Sequence, residues 1–284
     1  MSTDTEQPAA TSTSGRTMAS TGRGTWWRGP NGQRITSVLV GVAIIMVWDL
    51  LVRAGIVDKI ILPYPHNVLA ALLDLLASSA FWGHFWVTTQ ETMAGFVIGA
   101  VVGFVLGALL GMSNWIRGVL YPYIVAFQGL PKVVLAPIFI TALGFGVGSK
   151  IAMAAALAFF PVLLNTIVGI LGVDRDQARV LEVYQATPWQ KFTKLTFPGA
   201  APMISAGLKA SLTFALIGAI VGEFVGASEG LGYLLNQYAY QLQIPEVWAV
   251  MVTLAVLGVV LYGLIELFDA KVIFWTNERD LPTS

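Results

Sequence analysis

Six apolar runs, long enough to cross a bilayer or nearly so, constrain this chain more than any other feature. They fall near residues 35–52, 88–112, 118–143, 151–171, 203–225 and 247–268. A helix rises about 1.5 Å per residue, so roughly 20 apolar residues cover the hydrocarbon core. Water is absent there, and backbone N–H and C=O groups must pair within the segment, which makes each run a helix. Composition agrees, with 11% charged residues against about 25% in an ordinary soluble domain. The expected fold is all-α, a polytopic membrane protein of about six transmembrane helices over residues 34–272. Residues 1–33, rich in Ser, Thr and Gly, read as a disordered tail, and residues 273–284 as a C-terminal tail. No small-residue cleavage pattern follows the first run, so it reads as a retained span.

Six crossings put both ends on one side. That side carries eleven basic residues, among them Arg16, Arg28, Arg117, Arg179, Lys191, Lys194 and Lys271, while Arg53, Lys59 and Lys150 face the other. The bias places both termini, and the connection between the fourth and fifth runs, in the cytoplasm. Zero net charge gives no sign of a nucleic-acid partner, and the absence of cysteine excludes disulfides and thiol chemistry. His66 and His84 are too far apart in sequence for a local metal cluster and read as surface or interface residues. "GFGVGSK" (144–150) fails as a phosphate loop, because its Ser precedes its Lys and no strand leads into it. No zinc-protease or nucleophile-elbow motif is present. The chain is therefore expected to be neither an enzyme nor a metal protein.

Three features inside the runs invite a functional reading. Gly95, Gly99, Gly103, Gly107 and Gly111 form one stripe on a helix, suited to close helix approach within the chain or at a subunit or gate interface. Pro131 and Pro137 break the third run, and Lys132 lies between them. A Lys at that depth faces a cavity or partner, or else snorkels to the interface. These three residues are the candidate translocation elements, together with Glu223, which lines an outer mouth or sits at the interface. Lys209 is accounted for by snorkelling.

The polar connection "RDQARVLEVYQATPWQKFTKLTFPGAAP" (175–202) differs from its surroundings. Asp174 fits a helix cap, with Val180, Leu181, Val183 and Tyr184 presented for packing. Thr187 then fits an N-cap and Pro188 a first helical position. Trp189, Phe192 and Leu195 share one face, and Pro198 and Pro202 are expected to stop this short helix. Such a helix lies on lipid or fills a groove in a partner.

The stretch from Ala178 to Lys209 resembles the cytoplasmic signature loop of bacterial ABC importer permeases. "LPYPHNVLAALLDLL", "LPKVVLAPIFITALGFGVGSKIA" and "GEFVGASEGLGYLL" are similar to the nitrate, sulfonate, taurine and bicarbonate subgroup, in the same order. The resemblance covers roughly residues 35–270. It implies a bacterial inner-membrane permease, ATP-binding subunits that carry ATP and magnesium, an external substrate-binding protein, and a second permease copy. It also implies that the loop is a coupling helix, with Glu182, Gln185, Ala186, Thr187, Trp189, Gln190, Phe192 and Pro198 in the coupling positions. Arg179, Val180 and Leu181 stand where the family has Glu-Ala-Ala, and Gln185 stands where it has glycine. The implied function is uptake of a small anionic solute. The alternative is a single-chain secondary transporter, which inverted repeats and paired intramembrane carboxylates would favour; neither is clear in the sequence.

Overall fold

The computed structural model describes residues 30–272, and every element among them is helical. In chain order these are α1 (Pro30–Arg53), α2 (Pro65–Ala77), α3 (Ser79–Met112), α4 (Asn114–Gln128), α5 (Leu135–Leu143), α6 (Val147–Leu171), α7 (Arg175–Val183), α8 (Pro188–Lys191), α9 (Phe197–Gly226), α10 (Leu231–Tyr240) and α11 (Ile244–Val272). Helix α1 already begins at Pro30, so residues 30–33 are helical rather than tail. The remainder of the expected N-terminal tail and the C-terminal tail lie outside the described residues. Five helices are long and apolar enough to cross a membrane, and α4 with α5 makes a sixth if that bent pair counts as one span. Residues up to Leu51 form one compact unit and Val52 onward another; the packing below is that of the second.

Helix α6 is the centre of this unit, and glycines let its neighbours reach its backbone. A Cβ at Gly99 would lie 2.6 Å from the Ala155 carbonyl oxygen, at Gly103 2.7 Å from that of Phe159, and at Gly107 2.7 Å from Thr166 Cβ. Gly95 meets Ala154 more tightly still, and Gly111 meets Ile170. The stripe therefore packs within the chain. Helix α9 does the same from another side, where a Cβ at Gly218 would lie 2.7 Å from Ala154 Cα. Ala154, Ala158, Ala215 and Ala219 complete that seam. Packing of this kind takes the place of hydrophobic collapse, which lipid does not drive.

Two short helices lie outside the six apolar runs. Helices α2 and α10 join α3, α9 and α11 through Ala71, Leu75, Phe81, Leu231, Leu234, Ala249 and Val250. The third run is broken as its prolines suggest, with α4 and α5 bent by 84°. Pro131 precedes a 3-10 turn at Lys132–Val134 and marks the break. Pro137 sits in the first turn of α5, where no intrahelical bond needs its N–H.

The fifth run departs from expectation. Pro198 and Pro202 do not stop the short helix, because α8 continues into α9 through a π-helical turn at Phe192–Thr196. In a regular α-helix the Pro198 ring would press on the Lys194 carbonyl. The wider turn, in which the Phe197 N–H donates to the Phe192 carbonyl, makes room for it. The result is a continuous helix over Pro188–Gly226.

Candidate functional site

The connection between α6 and α9 builds its geometry from local chemistry. Asp174 caps α7, its Oδ1 accepting from the Asp176 N–H at 2.8 Å. Helix α7 then ends in a Schellman motif. The Gln185 N–H donates to the Glu182 carbonyl at 2.9 Å and the Ala186 N–H to the Leu181 carbonyl at 3.0 Å. Gln185 holds φ at 54° to do so. The residue that replaces glycine thus adopts the left-handed conformation that glycine would supply. An L side chain there costs about 1–2 kcal/mol. Gln185→Gly is accordingly expected to stabilise the turn by about 0.5–1 kcal/mol after glycine's own entropy loss. The measurement is amide exchange over residues 180–186, which should slow; faster exchange would count against the assignment.

Helix α8 opens with a capping box. Thr187 Oγ1 accepts from the Gln190 N–H at 3.2 Å, and Gln190 Oε1 accepts from the Thr187 N–H at 2.8 Å. Glu182 pairs with Lys191 at 3.0 Å and ties α7 to α8. Val183, Tyr184 and Trp189 are about three-quarters exposed, at 80%, 79% and 72%. They leave apolar surface on the connection open to a partner or to lipid. Behind that surface the rings run inward. Trp189 lies 6.0 Å from Phe192, Phe192 6.1 Å from Phe197, and Phe197 6.1 Å edge-on to Phe104 of α3. Phe104 packs on the Ile170, Ala200 and Ile204 cluster. An exposed aromatic is thereby joined to the seam of α6 and α9.

At the break in the third run, Lys132 Nζ donates to the Gln128 carbonyl at 3.2 Å and lies 4.7 Å from the centre of the Phe160 ring on α6. The cation is held at the end of α4 by a carbonyl and an aromatic face. Lys209 forms an ion pair with Asp269 of α11 at 2.7 Å. Its position is set by that partner and not by snorkelling.

At the far end of α9 the structure assembles a buried polar cluster from residues distant in sequence. Glu223 is 1% exposed. Helix α10 folds back over it, and the first turn of α10 has no cap of its own. Side chains from elsewhere supply that cap. The Gly230 N–H donates to His84 Nδ1 at 3.0 Å, the Leu231 N–H to Thr88 Oγ1 at 2.7 Å, and the Gly232 N–H to Glu223 Oε2. Thr88 Oγ1 in turn donates to Glu223 Oε1 at 2.6 Å. Gly230 has φ at 112°, and a Cβ there would strike the Glu223 carboxyl. Glu91 of α3 is buried beside Glu223, so two carboxylates that were not clear as a pair in the sequence do meet inside the helix bundle. Lys150 Nζ closes the cluster from α6, donating to the carbonyls of Phe145, Gly146 and Gly226. Lys150 thus clamps the end of α9 to the turn before α6, where "GFGVGSK" is a turn and the opening of a helix. One signal was available in the sequence: His84, Thr88 and Glu91 recur at four and three residues, one polar stripe on an apolar helix.

Among the described residues no group of His, Asp or Glu is arranged to hold a metal. Comparison with known proteins agrees with this architecture. Residues 95–274 match the family described as binding-protein-dependent transport system inner membrane component. SsuC of Bacillus subtilis, described as an aliphatic sulfonates transport permease protein, is 30% identical over 86% of this chain and 88% of its own length. ThiX of Halalkalibacterium halodurans, a formylaminopyrimidine transport permease protein, is 30% identical over 87% of this chain and 98% of its own. RibX of Chloroflexus aurantiacus, a riboflavin transport system permease protein, is 31% identical over 82% of this chain and 87% of its own. A chain of the inward-facing MetNI methionine ABC transporter superposes with a TM-score of 0.56 at 23% identity, covering 66% of this chain and 92% of that one, which bears on the fold. The chain belongs to the binding-protein-dependent inner membrane component family: it is the multi-pass permease subunit of an ABC importer, served by a substrate-binding protein and by ATP-binding subunits on which hydrolysis takes place.

Proposed function

We propose that the ATP-binding subunits dock on α8 and drive two copies of this permease, which together pass a small anionic solute through the membrane. The observation that carries this reading is the ring series from exposed Trp189 through Phe192 and Phe197 to Phe104. Closure of the ATP-binding subunits would move α8, and the continuous helix would pass that displacement to α9 and α3, switching between two packed arrangements. ATP and magnesium bind on the partner subunits. Both termini and α7–α8 lie in the cytoplasm, in keeping with the distribution of Lys and Arg. No role with nucleic acid is assigned. Glu182, Gln185, Ala186, Thr187 and Gln190 shape the docking turn, and Pro198 sets the π-helical turn behind it. Copurification of the ATP-binding subunit with a Trp189→Ala, Phe192→Ala chain tests the docking role; unchanged copurification and uptake would sink it.

Two further observations support the finer parts. Helix α4 buries none of its residues in the chain and exposes Trp115, Tyr123 and Phe127, which suits contact with a second copy. Lys132, at the break marked by Pro131 and followed by Pro137, provides a cation beside a bent span. Lys132→Met is expected to lower uptake of an anionic solute by about tenfold or more, the scale of a lost charge-assisted bond. Assembly of the complex should be retained. Normal anion uptake would count against a role for Lys132.

Among the described residues, the Glu91–Glu223 pair is the feature that favours a secondary transporter. Its Glu223 oxygens are committed to Thr88 and Gly232, which makes them part of the fold of α10 and not an open ion relay. Ion-driven uptake by the purified chain, without ATP-binding subunits, would reverse this choice.

A further inference from the structure

We propose that the cavity between the end of α9 and α10 is a binding site for an uncharged, hydrogen-bonding ring. The cavity is about 370 Å³ and is lined by residues 223–227 of the α9 end and by Tyr233, Asn236, Gln237, Tyr240 and Gln241. Its volume is within the range of small-molecule sites, about 300–1,000 Å³. The four α10 residues and Gln241, the cap that follows them, are spaced at three, four, seven and eight positions from Tyr233, so they share one helical face. Leu231 and Leu234 lie on the other side, buried with Ala249, Val250 and Leu254 of α11. Helix α10 is thus amphipathic with a polar face that carries no charge. That pattern is legible in "GYLLNQYAYQ".

The lining chemistry defines the ligand class. Three carboxamides offer donors and acceptors, and two phenols offer flat faces and hydroxyls. Asn236 Nδ2 donates to the Phe224 carbonyl at 3.3 Å, which orients the Asn236 side chain against the α9 end. No Lys or Arg lines the cavity to meet an anion. The one ionisable side chain with a carboxyl, Glu223, has its oxygens engaged by Thr88 and Gly232. A planar neutral solute with both N–H and C=O groups satisfies such a wall, whereas a bare charge leaves it unmatched.

The wall is also rigid. Three N–H groups at the start of α10 are tied to α3 and α9. Its other end closes in a Schellman motif, with the Leu242 N–H donating to the Ala239 carbonyl at 3.1 Å and the Gln243 N–H to the Tyr238 carbonyl at 2.9 Å. Burial pushes the Tyr238 hydroxyl above its ordinary pKa, with the Glu246 carboxylate acting in the same direction. A site held at both ends is preorganised for recognition.

This inference goes beyond the importer reading: the ring bound here is not the anion carried past Lys132, and binding itself does not depend on ATP-binding subunits. The test uses the full chain in lipid nanodiscs and uracil as the neutral ring, followed by saturation-transfer NMR, with ethanesulfonate as the anionic comparison. Saturable uracil binding is expected, weakened about tenfold by Gln237→Ala and by Tyr240→Ala, as for one lost hydrogen bond. Tyr240 is 83% exposed, so its truncation leaves the fold in place, which an unchanged melting curve checks. Absence of saturable uracil binding, undiminished uracil binding in both variants, or ethanesulfonate binding that the same two variants weaken as much would each overturn the proposal. Uracil binding that persists while the ATP-binding subunit fails to copurify would separate this site from the docking reading.

Discussion

A Gly103→Leu chain is expected not to yield a monodisperse folded protein. The first atom of any side chain there would lie 2.7 Å from the Phe159 carbonyl oxygen and 3.1 Å from Val162 Cβ. Carbon does not approach backbone oxygen that closely, so α3 must move away from α6 or rotate. Membrane helices associate by surface packing, without a hydrophobic gain from leaving lipid. Displacing α3 therefore loosens the contacts at Gly99 and Gly107 along with those at Gly103. Overpacking alone costs about 1–3 kcal/mol, and loss of the shared seam takes the total beyond about 3 kcal/mol, a large part of ordinary stability. The control lies in the same helix. A Cβ at Gly83 meets nothing within 4 Å, so Gly83→Leu should purify normally. Size-exclusion profiles and melting curves of the two variants make the comparison. Equal behaviour would show that the stripe is not a close-packed contact.

The double variant Trp189→Ala, Phe192→Ala should keep its fold and lose its motor. Trp189 is 72% exposed, so its removal leaves little cavity in the chain itself. Phe192 supports it from 6.0 Å and passes the contact to Phe197. A buried aromatic anchor at a protein interface contributes about 2–4 kcal/mol, equivalent to roughly 30- to 1,000-fold in affinity. Copurification of the ATP-binding subunit should fall accordingly, and solute uptake with it, while the melting curve of the permease alone moves little. A marked fall in melting temperature with undiminished copurification would instead make these rings part of the internal packing.

Much of this architecture was legible because it is written in local chemistry. The apolar runs mark the spans, Thr187 and Gln190 mark the start of α8, and Pro131 marks the break in the third run. Gln185 is instructive. It stands where the resembled family has glycine, and only the backbone shows that glutamine accepts φ of 54° there. Pro198 misled because a proline usually ends a helix, whereas a π-helical turn absorbs it. The cluster around Glu223 was least legible. Its partners come from α3 and α10, far apart in sequence, and nothing local says which helices meet. His84 reads as a surface or interface residue in the sequence, and the spacing of His84, Thr88 and Glu91 does not name what they cap. Lys150 looked like a charge on an outer turn, yet it is 2% exposed and holds three carbonyls.

The central claim is that the exposed face of α8 meets a protein and not lipid. A photo-crosslinking phenylalanine analogue in place of Trp189, in the assembled importer within a native-like bilayer, tests it directly. Irradiation should give a covalent adduct of this chain with the ATP-binding subunit, at the summed mass. Adducts with lipid alone would contradict the docking role and return α8 to the membrane surface.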